Sequence, residues 1–257
     1  MAAGGAGTAA MKLLPTAPSQ IIVLLLLLLP GVALGQSLNL DLGAGQPGTT
    51  ARLLQFTALI GLLSLAPSLL VMMTAFARIA IVLALLRSAI GAPSIPPNPV
   101  LIGLALFLTL FVMEPVLLQS WQDGILPMAE GRIGELAGLQ AAAEPFRRFM
   151  AAQVRDDDLA LFLDLGNLPM ASAAETPWRV LTPAFMVSEL RRAFEIGFLV
   201  FLPFLVIDLV AASLLMSLGM MMLPPTVVAL PFKLAFFVLV DGWRLIAGSL
   251  VQGFAAS

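Results

Sequence analysis

Four long apolar runs dominate this chain and leave few folds open to it. They cover Leu53 to Leu86, Val100 to Leu118, Phe194 to Leu218 and Val227 to Leu250. None shows the polar–apolar alternation of a half-buried strand, so each predicts helix and the chain as a whole predicts an all-α fold. Each approaches or exceeds the roughly 20 residues that a helix needs to cross a bilayer. Composition points the same way: 60% of residues are hydrophobic, 11% are charged and mean hydropathy is +1.02. A soluble domain carries about twice that share of charge. The expected architecture is therefore a membrane-associated pair of helical hairpins.

The first run contains Pro67 and Arg78, which predicts a kinked helix or two shorter ones. Gly91 to Pro99 joins the first two runs, and Gly219 to Pro225 joins the last two. Glycine suits the residue after a helix end, and proline blocks continuation, so both segments predict tight turns. Residues 51–118 and 183–257 then form the two hairpins. Between them, residues 119–182 hold half of the chain's formal charges, which predicts a solvated helical insert. Asp156, Asp157 and Asp158 precede the apolar stretch Leu159 to Leu163, where carboxylates favour a helix N-terminus.

The N-terminal 35 residues predict a cleaved secretory signal. Lys12 supplies a positive flank, Ile21 to Leu29 is unbroken apolar sequence, and Ala33-Leu34-Gly35 is a small-x-small cleavage pattern. The residues before Met11 read as a low-complexity extension, and residues 36–50 as a flexible mature N-terminus. Cleavage places Gln36 outside the cytoplasm, so alternate crossings put the charged insert outside and the Met-rich turn inside. The insert has more acidic than basic residues, in keeping with the positive-inside tendency.

Several chemistries are excluded. The chain has no Cys and no His, which removes disulfides, thiolate sites, His-based triads and the commonest transition-metal ligands. A carboxylate-only or Ser–Lys mechanism has no supporting spacing, and no Gly-rich phosphate loop is present. No enzyme activity, cofactor or metal is expected. A net charge of −2 offers no basic face to nucleic acid.

Charges inside the apolar runs are the candidate functional residues. Arg78, Glu114, Asp208, Lys233, Asp241 and Arg244 would each be costly facing lipid. They predict a polar pathway, contacts between subunits, or pairing within the chain. A second candidate is Met220-Met221-Met222 on the last turn, since clustered thioethers can close around variable surfaces. The third is PAFMVSELRRAFE, Pro183 to Glu195. Here Val187, Leu190 and Phe194 predict the apolar face of an amphipathic helix, with Arg191 and Glu195 paired on its polar side. Such a helix suits an interface or subunit contact, or lies along the membrane surface.

Pro183 to Phe198 (PAFMVSELRRAFEIGF) resembles one signature of the flagellar biosynthetic protein FliP family, and Pro231 to Trp243 (PFKLAFFVLVDGW) resembles the other. Phe201 to Pro225, Ala66 to Ile79 and Pro96 to Pro115 are similar to the family in the same order and spacing. The resemblance implies a component of the flagellar type III export gate in the inner membrane, at the flagellar basal body. Its partners would be further copies of itself, FliQ, FliR, and FlhA- and FlhB-type export proteins, and its cargo unfolded flagellar subunits. It further implies hairpins packed in a cone largely above the bilayer, with Met220, Met221 and Met222 as a pore seal. Lys233 and Glu189 match charged positions of the two signatures and are implied as interfacial charges. Glu114, Pro99 and Asp157 depart from the family pattern. Two alternatives are the homologous virulence-system component and a self-contained ion channel with Asp208 or Asp241 on its path. The predicted signal at Lys12 to Gly35 favours the flagellar type over the first.

Overall fold

The computed structural model describes Val71–Ala255, except Pro93 and Met221, together with Thr57, Ile60, Gly61, Ser64 and Ser68. The predicted signal, residues 36–50 and the Pro67 break lie outside the described residues. Of the unit Met1–Ala58 only Thr57 is described, helical and exposed; Leu59–Ser257 forms the other unit. Among the described residues there are helices and no strands.

The elements run α1 (Phe76–Ile90), α2 (Asn98–Ser120), a π-helical turn (Trp121–Ile125), α3 (Leu126–Ala129), α4 (Glu135–Gln153), α5 (Asp156–Leu165), α6 (Trp178–Ser217), α7 (Pro225–Leu239) and α8 (Gly242–Ala255). Both predicted turns form where the glycines stand. Gly91 ends α1 with φ +83°, its N–H donating to the Ser88 carbonyl at 3.1 Å. At the end of α6, Gly219 (φ +73°) donates to Met216 O at 3.1 Å and Met220 N–H to Leu215 O at 2.9 Å. This 5→2 and 6→1 pair is a Schellman stop, which a left-handed glycine permits. Pro225 at the first position of α7 loses no helical hydrogen bond there and presets φ for the new helix.

Helix α1 lies between α2 and α6, packing against each, while α2 and α6 have no substantial direct contact. Its buried face is Arg78, Ile79, Val82, Leu83, Leu86, Ala89 and Ile90, a stripe repeating every three to four residues. The upper core joins Ala75, Ile79, Met113, Ala193, Leu250 and Phe254; the lower core joins Leu86, Ala89, Ile90, Phe204 and Phe237. A third cluster holds the insert, with Met150, Leu159 and Leu163 against Leu181 and Phe185. Burying each large aliphatic or aromatic side chain contributes about 1.5–3 kcal/mol.

The π-helical turn fits the insert to α2. It sets Gly124 so close to α4 that an added Cβ would lie 2.3 Å from the Ala142 nitrogen. Beside it Ser120 Oγ donates to Ala142 O at 2.7 Å.

The third run lies within α6, which continues through Pro183 and Pro203 for 40 residues. Two sequence expectations change. The fourth run is divided at Val240–Asp241, where α7 and α8 meet at a 61° bend. Among the described residues, two helices are long and apolar enough to cross a membrane, Asn98–Ala129 and Trp178–Ser217, with mean hydropathy 2.4 and 2.6; the bent pair is a third only if taken as one span. Described α1, at 15 residues, falls short of the roughly 20 required.

In the middle of α6, Ser188, Glu189, Ala193 and Gly197 are buried, while Leu190, Phe194 and Phe198 face outward, as an apolar face for an interface or a membrane surface requires. Small and polar residues let α6 approach α1; a Cβ on Gly197 would sit 2.2 Å from Leu85 Cδ1. A second outward apolar surface runs along α2 through Phe107, Leu110 and Phe111. Exposed apolar area on this scale marks a membrane or protein interface.

Candidate functional site

The predicted charges fall into two intrachain clusters and an exposed remainder. In the upper cluster, α1 buries Arg78 and α6 buries Glu189, which grip one another through two parallel hydrogen bonds. Arg78 Nε donates to Glu189 Oε2 at 2.8 Å, and Nη2 donates to Oε1. Nη2 also donates to Gln153 Oε1 at 3.1 Å, and Nη1 to the Gly253 carbonyl at 3.4 Å. The Phe254 ring lies under the guanidinium, 3.7 Å from its carbon to the ring centroid. Arg192 donates to the same Gln153 oxygen at 2.8 Å. One cation thus ties α1, α4, α6 and α8 together.

The fork geometry of Arg matches a carboxylate in two bonds, and a charged hydrogen bond is roughly twice as strong as a neutral one. Burying both ions costs several kcal/mol each, so completion of the surrounding hydrogen bonds decides whether the cluster holds. Gln153 completes it from the insert. Arg78 was visible in the sequence as a charge inside an apolar run, and Glu189 through the family resemblance. Gln153 was not, because a neutral amide in a charged segment carries no such signal.

The lower cluster joins α1, α6 and α7. Lys233 Nζ donates to Asp208 Oδ2 at 2.7 Å and to the Ala89 carbonyl at 3.0 Å. That carbonyl belongs to the last turn of α1, where a cation complements the negative helix end. Asp208 Oδ1 is buried with no hydrogen-bond partner among the described residues.

Asp241 and Arg244 are placed differently from the expectation of charges turned inward. Asp241 occupies the break between α7 and α8 with φ +52°, and its side chain is 66% exposed. Arg244 is more exposed still and approaches Asp241 only to 3.9 Å. Both stand at a bend, where the polar ends of two helices meet, rather than in mid-helix. Glu114 is also exposed on α2, with no hydrogen bond or ion pair among the described residues.

The expected Arg191–Glu195 pair is absent. Arg191 reaches Asp158 at 3.3 Å, and Arg155 takes Glu195 at 2.9 Å. Asp158 is buried at the start of α5 and accepts from Ser188 Oγ at 2.8 Å. Ser188 Oγ in turn accepts from the Arg155 backbone N–H at 3.0 Å. The three aspartates do begin a helix, and the third also docks that helix on α6.

Met220 and Met222 lie on the α6–α7 turn, 43% and 98% exposed; Met221 lies outside the described residues. The Schellman stop on one side and Pro224-Pro225 on the other hold the turn short. Its apolar tip therefore projects from the ends of two helices.

Known proteins match this arrangement along most of the chain. The FliP family model matches residues 59–250. The flagellar biosynthetic protein FliP of Caulobacter vibrioides is 58% identical over 229 residues, covering 88% of this chain and 86% of that protein. FliP of Agrobacterium fabrum is 47% identical, with 91% and 98% covered. FliP of Bacillus subtilis is 44% identical, with 82% and 96% covered. A match over both hairpins and the insert, at these identities, shows that the chain belongs to the FliP family.

Proposed function

We propose that this chain is a core subunit of the flagellar type III export gate. Several copies assemble with FliQ and FliR into the channel through which unfolded flagellar subunits leave the cell, at the basal body in the inner membrane. FlhA- and FlhB-type proteins deliver the cargo and the energy. The chain itself supplies a wall and a seal rather than catalysis.

The observation that carries this reading is the α6–α7 turn. A thioether tip, Met222 almost wholly exposed, stands on a turn fixed at both ends. Repeated around a ring, such tips form an apolar constriction that closes on itself and yields to any passing side chain, because methionine is unbranched and flexible. The Arg78 and Lys233 clusters support it by fixing the helices on either side of that turn. Glu189 and Lys233 hold the subunit in its assembly-competent shape, and Asp208 positions Lys233.

The test replaces Met220, Met221 and Met222 together by Ala. The complex is expected to form in normal yield, and the membrane to become permeable to ions and small solutes. A complex formed in normal yield with an unchanged permeability barrier removes the seal from this loop.

A further inference from the structure

We infer that Glu114 on the outer face of α2 is one half of a head-to-tail contact between copies of this chain, and that Arg191 and Phe194 on the outer face of α6 are the other half. The inference rests on the reading of the chain as a multi-copy gate subunit. It adds which surfaces meet.

Glu114 is exposed on a helix of mean hydropathy 2.4 and has no partner among the described residues. Around it stand exposed Leu110, Phe111 and Leu118. A carboxylate in that setting is costly against lipid and calls for a cation from outside the chain. Beside it runs a groove of about 190 Å³, walled by Phe76, Leu106, Leu110, Met113, Leu117 and Phe146. This is below the roughly 300 Å³ at which small-molecule sites begin, but it suits one inserted side chain. The composite site therefore asks for a bulky apolar residue with a cation about one helical turn away.

The outer face of α6 has that pattern. Phe194 is 59% exposed, and Arg191, three residues earlier, is 45% exposed. Asp158 engages one edge of the Arg191 guanidinium at 3.3 Å, leaving other donors facing out.

Met113 lines the groove with Thr74 and Phe76 at the start of α1, whereas α6 meets α1 at Arg78 through Glu189 and at Leu85 through Gly197. Phe194 therefore lies further along α1 than Glu114. Because α1 separates α2 from α6, the two outer faces look away from each other. Copies set side by side, each shifted along the helix axes from the last, then bring the Glu114 groove of one against the Phe194 knob of the next. Such a contact joins two different surfaces and generates a helical array. A lipid-covered face would have no use for the carboxylate.

The absence of native cysteine makes the test specific. Two differently tagged copies, one Glu114→Cys and one Phe194→Cys, are produced together in cells carrying the complete export apparatus and treated with a short bis-maleimide. Mixed cross-linked dimers are expected in excess of either like-with-like product. In cysteine-free chains, Glu114→Arg is expected to lower the yield of multi-copy complex at least about tenfold, and Arg191→Glu in the same chain to restore it. The cross-linking arm leaves Arg191 intact, so it holds even where Arg191→Glu alone disturbs Asp158. Complexes that form without the mixed product, or with mainly like-with-like product of the Glu114→Cys copy, overturn the contact and leave the gate reading standing. So does labelling of the Glu114→Cys thiol by a lipid-soluble reagent inside the assembled complex. A chain that never assembles in multiple copies overturns both.

Discussion

Replacing Glu189 by Gln tests whether the buried Arg78 cluster holds the subunit together. The substitution keeps shape and volume but turns one of the two acceptor oxygens facing Arg78 into a donor. Arg78 then remains charged and buried, with Gln153 and a 3.4 Å carbonyl as its other acceptors. Breaking a buried pair from one side costs about 3–5 kcal/mol, because the surviving charge loses its compensation. At about 2–4 °C per kcal/mol for a chain of this size, the melting temperature falls by roughly 6–20 °C. The assay is thermal unfolding in detergent, followed through Trp121, Trp178 and Trp243. Arg78→Met with Glu189→Leu is the decisive partner experiment. It removes both charges, while Arg192 continues to satisfy the Gln153 oxygen at 2.8 Å. Buried pairs replaced by apolar residues of similar size are often neutral or better, so the double variant is expected to regain most of the loss. If the double variant loses the sum of the two single losses, the charges are not coupled and the reasoning fails.

The two glycine contacts differ in kind and should differ in cost. Gly124→Ala drives a methyl into the Ala142 backbone of α4, whereas Gly197→Ala meets the movable end of Leu85. The first is expected to cost about 1–3 kcal/mol and to free the insert for limited proteolysis; the second is expected to leave the cleavage pattern unchanged. Lys233→Glu puts a carboxylate against Asp208, and faster hydrogen exchange along α7 is expected to follow; Asp208→Lys in the same chain should slow it again. Exchange that stays at the parent rate in Lys233→Glu would mean that the 2.7 Å pair does not anchor α7.

The sequence was most readable where one residue type decides the backbone. Gly91 and Gly219 end helices at the expected places, and the three aspartates begin α5 as their charge suggests. It was also readable in the apolar face of Val187, Leu190 and Phe194, of which Leu190 and Phe194 do face outward. It did not show that the opposite face, with Ser188, Glu189 and Gly197, turns inward to pack. Nor does the sequence show that packing along α1 and α7 carries α6 through Pro203. The pairings themselves lay beyond reach, since Arg78 and Glu189 are separated by 111 positions and Lys233 and Asp208 by 25. Composition shows that such charges need partners and says nothing of which ones.

The uninterrupted course of α6 has a mechanical consequence. Its first turns are bound to the charged insert through Leu181, Phe185 and Ser188, and its last turn leads into the methionine tip. At 1.5 Å per residue its 40 residues extend about 60 Å. A rod of that length acts as a lever: a tilt of about 5° set at the insert swings the far end by roughly 5 Å, close to one helical pitch.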